Sequence, residues 1–150
     1  MKKHVLFAGL FISFFSSIML ADCKAVKGTI KATQVQDCDS PTKICTSGHF
    51  KSSILNGTTS FKAAALAATP SEPDMSTSFS YIGDLTISSK KGNVVIKDMG
   101  VFDMKTKNFT ETARHISGTG KYANVSGEIF IHGQATDTGY TSKVFGKLCY

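Results

Sequence analysis

Phe79-Ser80-Tyr81-Ile82-Gly83-Asp84-Leu85-Thr86-Ile87, then Lys90-Lys91-Gly92-Asn93, then Val94-Val95-Ile96-Lys97-Asp98-Met99-Gly100-Val101-Phe102 is the stretch that decides the fold class. Successive residues of a strand face opposite sides of a sheet. Phe79, Tyr81, Gly83, Leu85 and Ile87 therefore share one face, leaving Ser80, Asp84 and Thr86 on the other. In the second run Val94, Ile96, Asp98, Gly100 and Phe102 lie opposite Lys97 and Asp103. Two alternating runs joined by a short glycine turn predict an antiparallel hairpin with its apolar face inward.

The same pattern extends both ways. Stretches rich in β-branched and aromatic residues, bounded by Gly, Asn, Asp or Pro, predict eight strands, over 26–36, 47–55, 58–67, 76–88, 93–102, 108–116, 127–135 and 140–149. Asn56-Gly57 and Asp137-Thr138-Gly139 are further hairpin signals, and the short joints leave no room for parallel crossovers. The third stretch has two readings, because Ala63-Ala64-Ala65-Leu66-Ala67-Ala68 also has the propensity for a helical turn. Alternation places Ile129, Ile131, Gly133 and Ala135 inward opposite Glu128 and His132, and Val144, Gly146 and Leu148 inward opposite Lys143 and Lys147. Phe130 and Phe145 then fall outside, as single exposed rings or as part of a subunit contact.

Residues 1–21 read as a signal peptide: a positive start, Met1-Lys2-Lys3-His4, an apolar run from Val5 to Leu20, and a small residue, Ala21, at the expected cut. The run is shorter than the roughly 20 residues that span a bilayer comfortably, so no stable membrane span is expected. Leu20-Ala21-Asp22-Cys23 resembles a bacterial lipobox, with Asp22 out of pattern, so lipid anchoring at Cys23 is the alternative to a free periplasmic or secreted chain. Residues 22–150 are expected to form a single domain with fifteen basic and eleven acidic side chains, a net +4 against +6 for the whole chain. Seven Phe, four Tyr and no Trp remain after the leader, which suits a small β-rich globule.

Four cysteines, Cys23, Cys38, Cys45 and Cys149, allow three pairings, and an even number in an exported chain predicts disulfides. Cys38 and Cys45 flank the turn-forming Asp39-Ser40-Pro41, so a local bridge is the simplest choice. Cys23 and Cys149 would then tie the first strand to the last, as in a sheet closed on itself. Cys38, Cys45 and His49 lack the C-x-x-C spacing of structural zinc sites, and no metal or other cofactor is expected.

The segment Ile116-Ser117-Gly118-Thr119-Gly120-Lys121-Tyr122-Ala123-Asn124-Val125-Ser126-Gly127 resembles the G-G-T-G-x-[FY]-x-x-[AV]-x-G signature of the allene oxide cyclase and dirigent barrel superfamily, with Ser117 in place of its first glycine. The glycines permit a tight crossing from strand to turn, while Tyr122 can lay its ring over the barrel end. The resemblance runs, more loosely, from Tyr81 to Cys149. It implies an eight-stranded antiparallel up-and-down β-barrel with an apolar cavity open at one end, assembled as dimers or trimers. It also implies a small hydrophobic ligand, bound, cyclised or isomerised.

On that expectation Phe79, Tyr81, Leu85, Ile96, Phe102 and Ile129 line the lumen, with Tyr81 and Asp98 as polar handles. If Thr112 and Arg114 point outward, then Phe109, Glu111, Ala113 and His115 point in and join Asp98 in an ionisable cluster suited to acid or base assistance. The plainer alternative sets Glu111 and His115 at the solvated rim and uses Asp98 to cap a turn near Gly100. G-x-S-x-G, H-E-x-x-H and Walker glycine loops are absent. Sixteen lysines and one arginine are scattered along the chain, and no nucleic-acid partner is expected. The functional expectation is ligand binding in the lumen. Its alternatives are a cyclase or isomerase using the same cavity and an envelope or host-surface interaction protein with a filled barrel.

Overall fold

A computed structural model describes residues 22–70 and 74–150; the leader and its cut site lie outside the described residues. Eight strands follow one another: β1 Cys23–Gln34, β2 Cys45–Ser52, β3 Gly57–Ala68, β4 Ser78–Ser89, β5 Gly92–Asp103, β6 Asn108–Gly118, β7 Ser126–Thr136 and β8 Gly139–Cys149. Each pairs antiparallel with the next, and β8 pairs with β1, so the sheet is a closed up-and-down barrel. The closing seam is long, running from Cys23 opposite Cys149 to Ala32 opposite Tyr140. Disulfides join Cys23 to Cys149 across that seam and Cys38 of the β1–β2 loop to Cys45 at the start of β2. They point to an oxidising compartment. The Cys23 sulfur is engaged with Cys149, which removes the thiol that a lipid anchor would need.

The alanine-rich run is strand to its end, paired with β4 from Thr58 to Ala68. Ladder bonding to β4 outweighs the local helical preference, which is worth only tenths of a kcal/mol per residue. The ladder has a bulge at Ala64, after which Ala65 faces Ile82. Ser40 and Thr42 hydroxyls donate to the Ala63 carbonyl there, fastening the disulfide-bearing loop across the bulge. The joint at Asn56-Gly57 is longer than a two-residue hairpin. Residues 53–56 cross the barrel end, Ser52 Oγ donates to the Leu55 carbonyl, and the Leu55 side chain is buried.

The two ends of the barrel differ. At the end that carries the chain termini, Val26, Phe50, Leu55, Ile87, Val94, Tyr122, Val125 and Leu148 pack into a solid plug. Tyr122 comes from a single 3-10 turn, Gly120–Tyr122, and its ring meets Tyr150 edge-on at 5.1 Å. A Cβ at Gly118 would stand 2.5 Å from the Tyr122 carbonyl oxygen, so only glycine allows the turn to fold back this closely. Along the barrel, inward glycines make room for rings from neighbouring strands. A Cβ at Gly28, Gly83, Gly100 or Gly133 would stand 2.4–2.5 Å from the ring of Phe50, Phe61, Tyr81 or Phe109 respectively. Aromatic rings laid over glycines are a known device for curving and closing sheets.

The seam disulfide closes a chain segment with sequence separation 126, the loop disulfide one of only 7. Loop-closure entropy then gives about 5 kcal/mol for the first and about 2.5 kcal/mol for the second. Urea unfolding of the Cys23→Ala/Cys149→Ala chain is expected to show the larger loss, and Cys38→Ala/Cys45→Ala the smaller.

Candidate functional site

Away from the plug the barrel is hollow. A cavity of about 280 Å³ opens at the end that carries the β1–β2, β3–β4, β5–β6 and β7–β8 connections. Its wall is an arc of six rings on five strands, Phe61, Tyr81, Phe79, Phe102, Phe109 and Tyr140, each 5.4–6.5 Å from the next. Ile30, Ala32, Ile44, Leu66, Leu85 and Ile131 complete an apolar lining, with Gln34, Thr46, Glu111 and Ser142 as its polar points.

The cavity exists because strand alternation and bulk work together. Inward positions at the plugged end carry branched aliphatics, whereas those nearer the mouth alternate rings with glycines, alanines and serine. The rings lie against the wall over the glycines instead of crossing the lumen.

The polar chemistry sits at the cavity floor. Tyr81 Oη donates to Glu111 Oε1 at 2.6 Å, and the pair rests over Gly100, which faces both residues across the ladder. One layer deeper, Asp98 is buried, and neither carboxyl oxygen has a hydrogen-bond partner among the described residues. Burial first, and then the Glu111 carboxylate, pushes Asp98 up to about 9. Burial also raises Glu111, to about 7, against the opposing pull of the Tyr81 hydroxyl. Tyr81 is driven upward by burial and by Glu111, so its hydroxyl stays protonated and remains a donor. At neutral pH the floor therefore holds a neutral acid, Asp98, below a carboxyl that exchanges its proton readily.

Of the residues expected to line the lumen, Phe79, Tyr81, Leu85 and Phe102 face the cavity. Ile96 and Ile129 do not; both are fully buried below its floor, where the barrel is packed solid. Asp98 caps no turn, since β5 continues as strand to Asp103. Glu111 does face inward, but His115 is exposed. The reason is a bulge: Asp98 faces Ala113 and Lys97 faces His115, leaving Arg114 as an extra residue. The bulge reverses parity, so Arg114 and His115 both point outward and Ile116 returns to the interior. Simple alternation carries no sign of such a bulge. Sequence reasoning also passed over Phe61, Tyr140 and Ser142 as lining residues. Inward glycines mark two of them: Gly83 lies under the Phe61 ring, and Gly133 is opposite Ser142.

Cys38 and Cys45 are bonded to each other, and among the described residues no group of three or more His, Cys, Asp or Glu side chains is placed to hold a metal ion. No family model, curated protein or solved structure matches this chain. What the fold and site define is a closed antiparallel barrel with one plugged end, one open end and an aromatic cavity floored by carboxyl groups.

The raised acids fix the sign of a pH effect. The folded state holds the Asp98 proton up to about 9, whereas the unfolded chain releases it near 4. The stabilisation is therefore complete below about pH 4 and is lost as pH rises toward 9. Thermal melts of the oxidised chain are expected to show a falling Tm from pH 5 to pH 9. Asp98→Asn should flatten that slope and melt higher than the parent at pH 8.

Proposed function

We propose that this chain is an exported barrel that binds one small apolar molecule in its open end. The observation that carries the reading is the aromatic cavity itself. Its volume is on the order of twice that of an apolar cavity admitting a single benzene ring, which suits a ligand of about two fused or linked rings or a short branched chain. Burial against the rings supplies the affinity, at roughly 25 cal/mol per Å² of apolar surface. The Tyr81–Glu111 pair supplies one place for a hydroxyl, carbonyl or amine on the ligand. The leader pattern over residues 1–21 and the two disulfides support export to an oxidising compartment. The resemblance of residues 116–127 to allene oxide cyclase and dirigent barrels supports the same ligand class.

N-phenyl-1-naphthylamine, whose fluorescence rises in apolar surroundings, is expected to bind the purified mature chain saturably at one site. Ala32→Phe, which puts a ring into the cavity, should weaken binding by about tenfold or more while leaving the far-UV spectrum unchanged. A probe that never saturates, or that binds Ala32→Phe equally well, overturns the reading.

One observation favours a second reading, a cyclase or isomerase. Glu111, held near neutrality at an apolar floor beside a protonated tyrosine, is poised for general acid or base work. In that case Glu111→Gln removes turnover of a polyene or epoxide substrate by about a hundredfold or more and leaves probe binding within a factor of two. Loss of binding in step with turnover would assign Glu111 to ligand recognition alone.

A further inference from the structure

The lysines that look scattered in the sequence gather in the fold. Strands β8, β1, β2 and β3, contiguous around the barrel, contain no Asp or Glu. Strand alternation turns Lys143 and Lys147 of β8, Lys27 and Lys31 of β1, and Lys51 of β2 to the outer wall, all exposed. The ladder stacks four of them in adjacent rows, and Lys147 lies in the row beyond, between Ala25 of β1 and Glu128 of β7. Phe130, Phe145 and Lys27 form one row; His132, Lys143, Thr29 and Lys51 the next; Thr141, Lys31 and His49 the third. None of the five lysines makes an ion pair among the described residues. The nearest acid on the wall, Glu128, is taken by Arg114 at 2.7 Å. At one edge of this wall Phe145 stands half exposed, stacked with Phe130 at 5.6 Å.

Four lysines with no acid opposite them on the ladder, Lys27, Lys31, Lys51 and Lys143, repel each other unless something neutralises them, so the wall suits a polyanion. The type of cation narrows the choice. Lysine is a mobile point charge on a flexible stem and lacks the guanidinium fork that reads phosphates or base edges in fixed geometry. It suits an anionic surface whose charges can move to meet it. An aromatic pair beside the lysines adds an apolar element that enters the headgroup boundary of a bilayer. The wall is too heavily charged to lie within hydrocarbon, so contact is peripheral. We propose that the β7–β8–β1–β2 wall docks this barrel on a bilayer of anionic lipid, with the Phe130–Phe145 pair seated among the headgroups. The cavity mouth, at the barrel end, stays clear of that contact.

The test is flotation of the oxidised mature chain with phosphatidylcholine vesicles, with and without phosphatidylglycerol. Binding is expected only when phosphatidylglycerol is present and should weaken as salt is raised. Neutralising three wall lysines, Lys27→Gln/Lys51→Gln/Lys143→Gln, is expected to lower partitioning about a hundredfold, from about fivefold per lysine. The matched triple Lys90→Gln/Lys91→Gln/Lys105→Gln, away from the wall, should stay close to the parent. Phe145→Ser should also weaken binding, with the salt dependence retained. Equal losses from the two triples, indifference to phosphatidylglycerol, or no effect of Phe145→Ser would overturn the proposal. So would displacement from the vesicles by a duplex DNA fragment at equal phosphate, which would reassign the wall to a nucleic acid. Probe entry into the cavity is measured separately on the same variants, so the two readings fail independently.

Discussion

Everything in this molecule depends on the pairing of its first strand with its last. An eight-stranded sheet left open exposes two edges and cannot enclose a volume; joined along the β1–β8 seam it has neither edge and must have an inside. The seam is secured covalently where Cys23 meets Cys149, at the end that is also packed solid. Rigidity is thus concentrated at one end. The aromatic wall and the carboxyl floor hang from that plug, and the opposite end is free to stay open because it does not have to hold the barrel shut.

The glycines turn closure into a cavity. An eight-stranded barrel is just wide enough to be filled by its own side chains. Here the rings of Phe61, Tyr81 and Phe109 come up against Gly83, Gly100 and Gly133, into space a side chain would fill. Each ring is held by the next, and the space that they leave becomes an apolar chamber with a hydrogen-bonding floor. Asp98, with the Thr59 hydroxyl, departs from the rule that buried polar groups find partners. The Asp98 oxygens have no hydrogen-bond partner among the described residues, and burial keeps the carboxyl protonated.

Charge is distributed with the same asymmetry. Apart from Asp22, which precedes β1 and pairs with Lys24, the acids lie on the β4–β7 side and in the connections, and five lysines with no ion pair among the described residues lie on the β8–β1–β2 wall. A modest net charge therefore conceals a strong local field, because ladder register brings together residues more than a hundred positions apart, such as Lys27 and Lys143.

Seven of the eight strands, their antiparallel order and the inward face of β4 and β5 were legible in the chain, and a local Cys38–Cys45 bridge was its simplest cysteine pairing. Those features are local, or follow from period-two alternation and from which turn residues flank which run. The sequence also marked Tyr81 and Asp98 as inward-facing, and left Glu111 between the lumen and the rim. Where the lumen ends, and so that Ile96 and Ile129 are plug and not lining, comes from the folded barrel alone. It alone decided that the alanine run is strand, since the β4 ladder outweighs propensity, and that a bulge at Arg114 turns His115 outward. The lysine wall likewise has no signature in one dimension. Depth, bulges and lateral neighbours are set by how strands pair, and pairing joins residues that the linear chain keeps apart.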